Sequence, residues 1–115
     1  MDDDTLSRAF AALADPTRRD LVSRLTLGDA TVGELAAPYD MSLQAVSKHI
    51  AVLESAALVS RRRDAQRRPV HLDAEVLGEL TDWIDRHRRA VDERMDRLDE
   101  LLQTTGTTDT EEHLS

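Results

Sequence analysis

A mainly helical domain with one small β-hairpin and a long C-terminal helix is the fold class this sequence predicts. Three observations carry that expectation. Apolar residues recur at three- and four-residue spacing over most of the chain, from Leu6, Phe10 and Leu13 to Leu77, Leu80 and Ile84. Helix-capping residues stand at the head of these segments: Asp15 before Pro16, Thr31 before Glu34, then Ser42 and Asp73. Between the last two, Leu58 to Arg63 and Arg68 to Leu72 read as strands around a polar turn. A chain of 115 residues, 40% of them apolar, fits one domain with one modest core.

The elements follow in order. Residues 1–4 are a polar stub expected to be disordered, and Leu6, Phe10 and Leu13 form the apolar stripe of a short first helix. Asp15-Pro16 supplies a cap and a proline at the first helical position, where its missing N–H costs nothing, so Leu21, Val22 and Leu25 become the buried face of a second helix. Gly28 is the expected stop. Thr31-Val-Gly-Glu34 has the pattern of a capping box and starts a short third helix that Pro38 limits. Ser42 caps a fourth helix reaching about Ala56. Pro69 cannot donate to a ladder, which makes the second strand an edge. Asp73 caps a final helix from Ala74 to about Gln103, and the polar, threonine-rich tail 104–115 is expected to be disordered. The folded domain is therefore expected over residues 5–103.

Charge divides the chain unevenly. Residues 1–40 carry a net −4, residues 41–72 a net +4 and residues 73–115 a net −8. The positive island holds the fourth helix and the run Arg61-Arg-Arg-Asp-Ala-Gln-Arg-Arg68, five arginines within eight residues. Such cations repel one another unless anions neutralise them, and only Asp64 is near in sequence. Nucleic-acid phosphate is one source of those anions; a solvated hairpin, or one paired with the acidic termini, is the alternative.

On the fourth helix, 100° per residue gathers Leu43, Val46, Ile50 and Leu53 on one face, which must be the core side. Gln44 and Lys48 then point away, with Ser47 and His49 on the flanks. Gln can contact adenine in a bidentate manner, while Lys and Ser reach base edges or phosphates. A merely solvated face is the competing reading, and His49 can equally hydrogen-bond within the turn. His71, opposite in facing to Val70 and Leu72, is expected to be exposed.

The last helix, at about 1.5 Å per residue, is roughly 45 Å long, more than a core of this size covers. Leu77, Leu80, Ile84, Val91, Met95, Leu98 and Leu102 form its stripe, and Asp82/Arg86, Asp85/Arg89 and Glu93/Arg97 lace other faces. Leu6, Phe10, Trp83, Ile84, Val91, Met95, Leu98 and Leu102 are therefore the candidate two-fold interface, although half of them can serve the intramolecular core instead.

These residues resemble the ArsR (arsenical-resistance repressor) family of winged helix-turn-helix transcription factors. The resemblance covers residues 6 to about 103. It rests on Phe10-Ala-Ala-Leu-Ala-Asp-Pro-Thr-Arg18, Met41-Ser-Leu-Gln-Ala-Val-Ser-Lys-His-Ile50, Leu53-Glu-Ser-Ala-Ala-Leu-Val59 and the arginine-rich hairpin. It implies that the third and fourth helices form the helix-turn-helix, that the fourth enters the major groove, and that the hairpin is a wing along the phosphates. Ser42, Gln44, Ser47, Lys48 and His49 become reading residues, with Arg61, Arg62, Arg63, Arg67 and Arg68 on the wing. The first and last helices dimerise, and the expected partners are an inverted-repeat operator in double-stranded DNA and a second copy of the chain. Two positions depart from the family pattern. Ala57 stands where a glycine usually ends the reading helix, and Asp64-Ala65-Gln66 lacks the glycine common at the wing tip.

Many proteins of that family sense metals. With no cysteine in the chain, thiolate sites and thiol redox sensing are excluded. The zinc type uses an Asp-x-His near the start of the last helix and a second His with a carboxylate or His about three turns on. Asp85-Arg-His87 matches the first half, but Leu98 and Leu101 stand at the second, so no metal and no cofactor is expected. His113 falls in the tail. No glycine-rich phosphate cradle, catalytic serine motif or paired carboxylates suggest an enzyme. No membrane span is visible and the MDDDT start is acidic, so a cytoplasmic protein is expected. A DNA-binding repressor is the leading expectation. A winged helix used only for protein contacts is the alternative, and it has no need of Gln44, Lys48 and the wing arginines.

Overall fold

Asp2 begins the fold: its carboxylate accepts the Thr5 N–H at 2.7 Å. Asp3 and Asp4 then occupy the first turn, where negative charge complements the helix dipole, and α1 runs Asp3–Leu13. The acidic stub expected to be disordered is therefore the cap and opening turn of α1. The structure, a computed structural model, describes residues 2–63 and 66–114, with side chains as far as Thr104.

The local capping signals act where the sequence has them. Asp15 accepts the Thr17 and Arg18 N–H groups at 2.8 and 3.1 Å, and α2 runs Pro16–Leu25 with the proline at its start. Thr26 closes α2, and Gly28 turns the chain with φ +146°, a region that side-chain-bearing residues avoid. Thr31 and Glu34 form the reciprocal capping box of α3, Val32–Ala36. Ser42 accepts the Ala45 N–H at 3.1 Å and starts α4, Leu43–Ser55.

The hairpin is shorter than its apolar pattern. β1 (Val59–Arg61) pairs antiparallel with β2 (Val70–Leu72), in the register Val59↔Leu72, Ser60↔His71 and Arg61↔Val70. The turn expected from Asp64 lies in part outside the described residues. β2 is not an edge at Val70, contrary to the expectation from Pro69, because Ala30 bridges it from the other side with N–H to O distances of 2.7 and 3.2 Å. Pro69 instead contributes its carbonyl, which accepts the Arg62 N–H at 2.8 Å.

Two compact units divide the chain, Met1–Leu80 and Thr81–Ser115. In the first, Leu21, Leu35, Val46, Ile50, Leu53, Leu58 and Val70 are fully buried and are joined by Ala9, Ala12, Val76 and Leu80. Leu43 corrects the helical-wheel expectation: it is 57% exposed while Val46, Ile50 and Leu53 are at 0%. Its angle is right, but it is the first residue of α4, at the helix end rather than over the packed layer. Leu6 and Phe10 are partly buried against this same core.

The second unit belongs to α5, Ala74–Leu114. Its backbone stays helical beyond Gln103, where the apolar stripe ends and an unfolded tail was expected. The His113 side chain and Ser115 lie outside the described residues. Ile84, Val91, Met95, Leu98 and Leu102 are exposed, and Trp83 is half-buried. Asp85 pairs with Arg88 at 3.7 Å rather than with Arg89, whose Nε donates to the Asp85 carbonyl at 3.4 Å. His87 stacks on Trp83 with ring centroids 4.0 Å apart, and its Nδ1–H donates to the Trp83 carbonyl. Among the described residues no group of three or more His, Asp or Glu is placed to hold a metal ion. No helix there is long and apolar enough to cross a membrane.

Candidate nucleic-acid interface

The burial of Val46, Ile50 and Leu53 sets the orientation of α4. With that face in the core, Ser42, Gln44 and Lys48 are exposed and Ser47 is half-buried beside them. Ser42 spends an oxygen lone pair on the cap, and its hydroxyl proton remains available to a phosphate or base acceptor. Lys48 has no ion pair among the described residues, so its ammonium faces water. The exposed edge therefore offers an amide, a hydroxyl and a cation over two helical turns, a donor-rich strip on a cylinder slim enough for a major groove.

His49 sits differently from its neighbours. Its Nδ1 lies 3.3 Å from Arg18 Nη1, which donates to it, and 4.0 Å from an Asp15 carboxylate oxygen. The imidazole is turned toward the start of α2, a contact across the fold rather than the bond within the turn that was the alternative to base reading.

The wing does not present five free cations. Arg67 pairs with Glu34, and Arg61 Nε lies 3.8 Å from a Glu54 oxygen. Two carboxylates distant in sequence thus supply anions that the linear pattern located only at Asp64. Arg62, Arg63 and Arg68 are exposed and without an ion pair among the described residues. Hydrogen bonds from the Thr31 backbone and then its hydroxyl hold the Glu34 carboxyl below the usual carboxylate range, with Arg67 adding to them. Glu34 is thus ionised at neutral pH and occupies Arg67 as a phosphate would.

Three arginines of α2, which motif and charge reasoning left without a role, hold the helix-turn-helix in place. Arg18 donates from Nε to the Ala12 carbonyl at 2.6 Å and from Nη2 to Ala11 at 3.3 Å, while Arg19 reaches the Leu13 carbonyl at 2.8 Å. These carbonyls lie in the last turn of α1, where a helix runs out of backbone partners, although Ala11 also accepts the Ala14 N–H at 3.2 Å. Arg24 does the same for α3, donating to Leu35 at 2.6 Å and Glu34 at 3.2 Å with its guanidinium 5.4 Å over the Tyr39 ring. Tyr39 in turn donates to Asp20, and burial, followed by that bond, raises its phenol above the usual 10.0. A sequence signal existed: arginines close to a short helix whose end lacks a cap. It lacked only the spatial pairing.

His71 is half-buried rather than simply exposed. It lies 2.8 Å from Asp29 and 3.9 Å from Asp73, and Ser60 donates to Asp73 at 3.3 Å. The His71–Asp29 contact and the Ala30–Val70 bridge fasten the wing strand to the loop ahead of α3, and Asp73 ties the two strands together at the hairpin's exit.

A short capped helix, a turn, a second helix with a polar outer edge and an arginine-bearing hairpin define a winged helix-turn-helix DNA-binding regulator. A helix-turn-helix domain model matches residues 13–62. The chain is 47% identical over 79 residues to the HTH-type transcriptional regulator Rv2034 of Mycobacterium tuberculosis, covering 69% of this chain and 74% of that protein. The crystal structure of an ArsR family transcriptional regulator is similar with a TM-score of 0.73 and 34% identity, over 80% of this chain and 95% of the other. So is the solution structure of a homodimeric winged helix-turn-helix DNA-binding domain from Mycobacterium bovis, a possible ArsR-family regulator, with a TM-score of 0.61 and 26% identity over 75% and 80% of the two chains. The protein belongs to the ArsR family of winged helix-turn-helix transcriptional regulators.

Proposed function

We propose that this protein is a sequence-specific repressor that binds an inverted repeat in double-stranded DNA as a homodimer and acts by binding, without catalysis, in the cytoplasm. One observation carries the reading. Ser42, Gln44 and Lys48 share the outer face of a helix that buries Val46, Ile50 and Leu53 on its opposite face, and three wing arginines are left free of ion pairs among the described residues. Gln44, Ser47 and Lys48 read base edges, Ser42 contacts the phosphate at the helix start, and Arg62, Arg63 and Arg68 grip the flanking backbone. Arg61 and Arg67 contribute once Glu54 and Glu34 release them. His49 positions α4 against α2.

A second copy is the natural cover for the exposed α5 stripe of Ile84, Val91, Met95, Leu98 and Leu102, joined by Trp83. Two copies read two half-sites about one DNA turn apart, and occupancy of such a site excludes polymerase. Leu6 and Phe10 of α1, partly buried against the core of their own unit, are assigned to dimerisation as well. The test is a binding titration against DNA upstream of the protein's own gene, comparing wild type with Lys48→Ala and with Arg62/Arg63/Arg68→Ala. Both variants should bind more weakly. Equal binding by all three proteins would defeat the reading.

A further inference from the structure

The C-terminal half of α4, one turn beyond Lys48, borders a cleft whose lining residues include none of the proposed DNA contacts. Between α1 and the C-terminal half of α4 lies an open cleft of about 230 Å³, lined by Ala11, Ala12, Val52 and Ala56, with Arg8 and Arg18 at its rim. The three alanines leave the space that larger side chains would fill, and Val52 is 42% exposed. Past Ser55 the cleft adjoins a smaller hollow of about 150 Å³, which Arg8 also lines.

We propose that this cleft is an effector site for a small apolar carboxylate, one aromatic ring or a short chain bearing an acid group. Size sets the first half of that description. The cleft is larger than the cavity of about 150 Å³ that takes benzene and smaller than the roughly 300 Å³ at which drug-sized sites begin. Charge sets the second half. Arg8 is exposed and forms no close ion pair among the described residues, Asp2 acting on it only as a nearby charge, so the rim of an apolar cleft presents a guanidinium with its donors open, the group that grips carboxylates in a bidentate fork.

The position of the cleft gives binding a consequence, which rests on the repressor reading. Arg18 joins the end of α1, through the Ala11 and Ala12 carbonyls, to His49 on α4. A carboxylate held in the cleft competes for Arg18, which also lines it, and loosens the contact between Arg18 and His49 that orients α4. The occupied form therefore binds operator DNA more weakly, by about fivefold or more at saturation.

Benzoate is the probe, with benzyl alcohol as its uncharged counterpart. Amide resonances of the full-length protein, without DNA, are followed during titration to about 10 mM. Shifts centred on Ala11, Val52 and Ala56, weakened about tenfold by Arg8→Gln and abolished by Ala11→Leu, support the site. Ala11 is exposed on α1, and leucine is a good helix former, so this substitution blocks the cleft without removing core. Absence of shifts overturns the proposal, as does equal binding of benzyl alcohol. If Ala11→Leu instead turns a dimer into monomer, the cleft is covered by the second copy and the proposal also fails. Operator affinity is measured separately. A protein that takes benzoate yet binds no DNA overturns only the repressor reading, whereas DNA binding indifferent to bound benzoate overturns the effector role.

Discussion

Ala57 is the residue at which the chain's geometry and its chemistry disagree, and replacing it with glycine should stabilise the protein. It follows α4 with φ 59°, the left-handed region where a Cβ crowds the following carbonyl. The geometry is fixed by a complete helix stop. The Ala57 N–H donates to the Glu54 carbonyl and the Leu58 N–H to Leu53, each at 3.0 Å, while the Leu53 and Leu58 side chains, both 0% exposed, pack into the core. An alanine held there costs about 1–2 kcal/mol. Glycine's greater freedom in the unfolded chain offsets about 0.5–1 kcal/mol of that gain. Because Ala57 is exposed, no buried methyl is lost. Ala57→Gly should therefore gain about 0.5–1 kcal/mol, raising the denaturant midpoint with unchanged slope and the thermal midpoint by about 3 °C. The measurement is made at one protein concentration, since association shifts apparent stability. Operator affinity should stay within about twofold, the stop being retained. A glycine variant no more stable than wild type would refute the reasoning, and Ala57→Val, with a β-branched side chain at the same φ, should lose stability.

Other outcomes follow from the charge arrangement. Substituting Arg62, Arg63 or Arg68 singly by alanine should flatten the dependence of log K on log salt by about 0.9 per bound subunit, whereas Arg61→Ala should flatten it less, because Glu54 already neutralises it; fluorescence anisotropy across a salt series measures both. Glu34→Gln keeps a capping-box residue at its position yet removes the competitor of Arg67, so operator affinity should rise by up to about fivefold at low salt, and unchanged or weaker affinity would mean that Arg67 takes no part. The Arg18 N–H, followed by that of Thr17, lowers the Asp15 carboxyl below its usual 3.8, so its contribution to stability is present above that pH and lost as pH falls through the folded value. Asn caps as well without titrating, and Asp15→Asn should flatten the acid limb of a stability curve recorded by circular dichroism.

How far the sequence could be read depended on how far apart the partners lie in the chain. Asp15 on Thr17, Thr31 on Glu34 and Ser42 on Ala45 act across two or three residues, so α2, α3 and α4 begin where their caps predict. The same rule, applied one step earlier, would have recognised Asp2 as a cap rather than part of a stub. The missed contacts are long: 31 residues separate Arg18 from His49, 33 separate Arg67 from Glu34, and 42 separate His71 from Asp29. No periodicity encodes such pairs, because the packing of Leu21, Ile50 and Leu53 brings them together. Helical angle also carries no information on axial position, which is why Leu43 was grouped with Val46. The exposed polar face of α4 was legible because it is what remains once the apolar positions are subtracted.

That subtraction extends to the arginines, and it narrows the positive island to a defined surface. Arg18, Arg19 and Arg24 serve carbonyls at the ends of α1 and α3, and Arg61 and Arg67 meet carboxylates. A guanidinium bound to several carbonyls at the edge of a fold is held by directional bonds, whereas one paired with an exposed carboxylate exchanges readily for phosphate. In the proposed mode of binding the first group therefore orients α4, and the second joins the salt-dependent grip only upon binding. In the positive island, Lys48, Arg62, Arg63 and Arg68 are the cations without an ion pair among the described residues, and under the repressor proposal they meet phosphate or base without breaking anything first. In a chain of net charge −8, the proposed mode of binding concentrates the attraction to DNA in those four side chains, and the acidic remainder should oppose binding in other orientations.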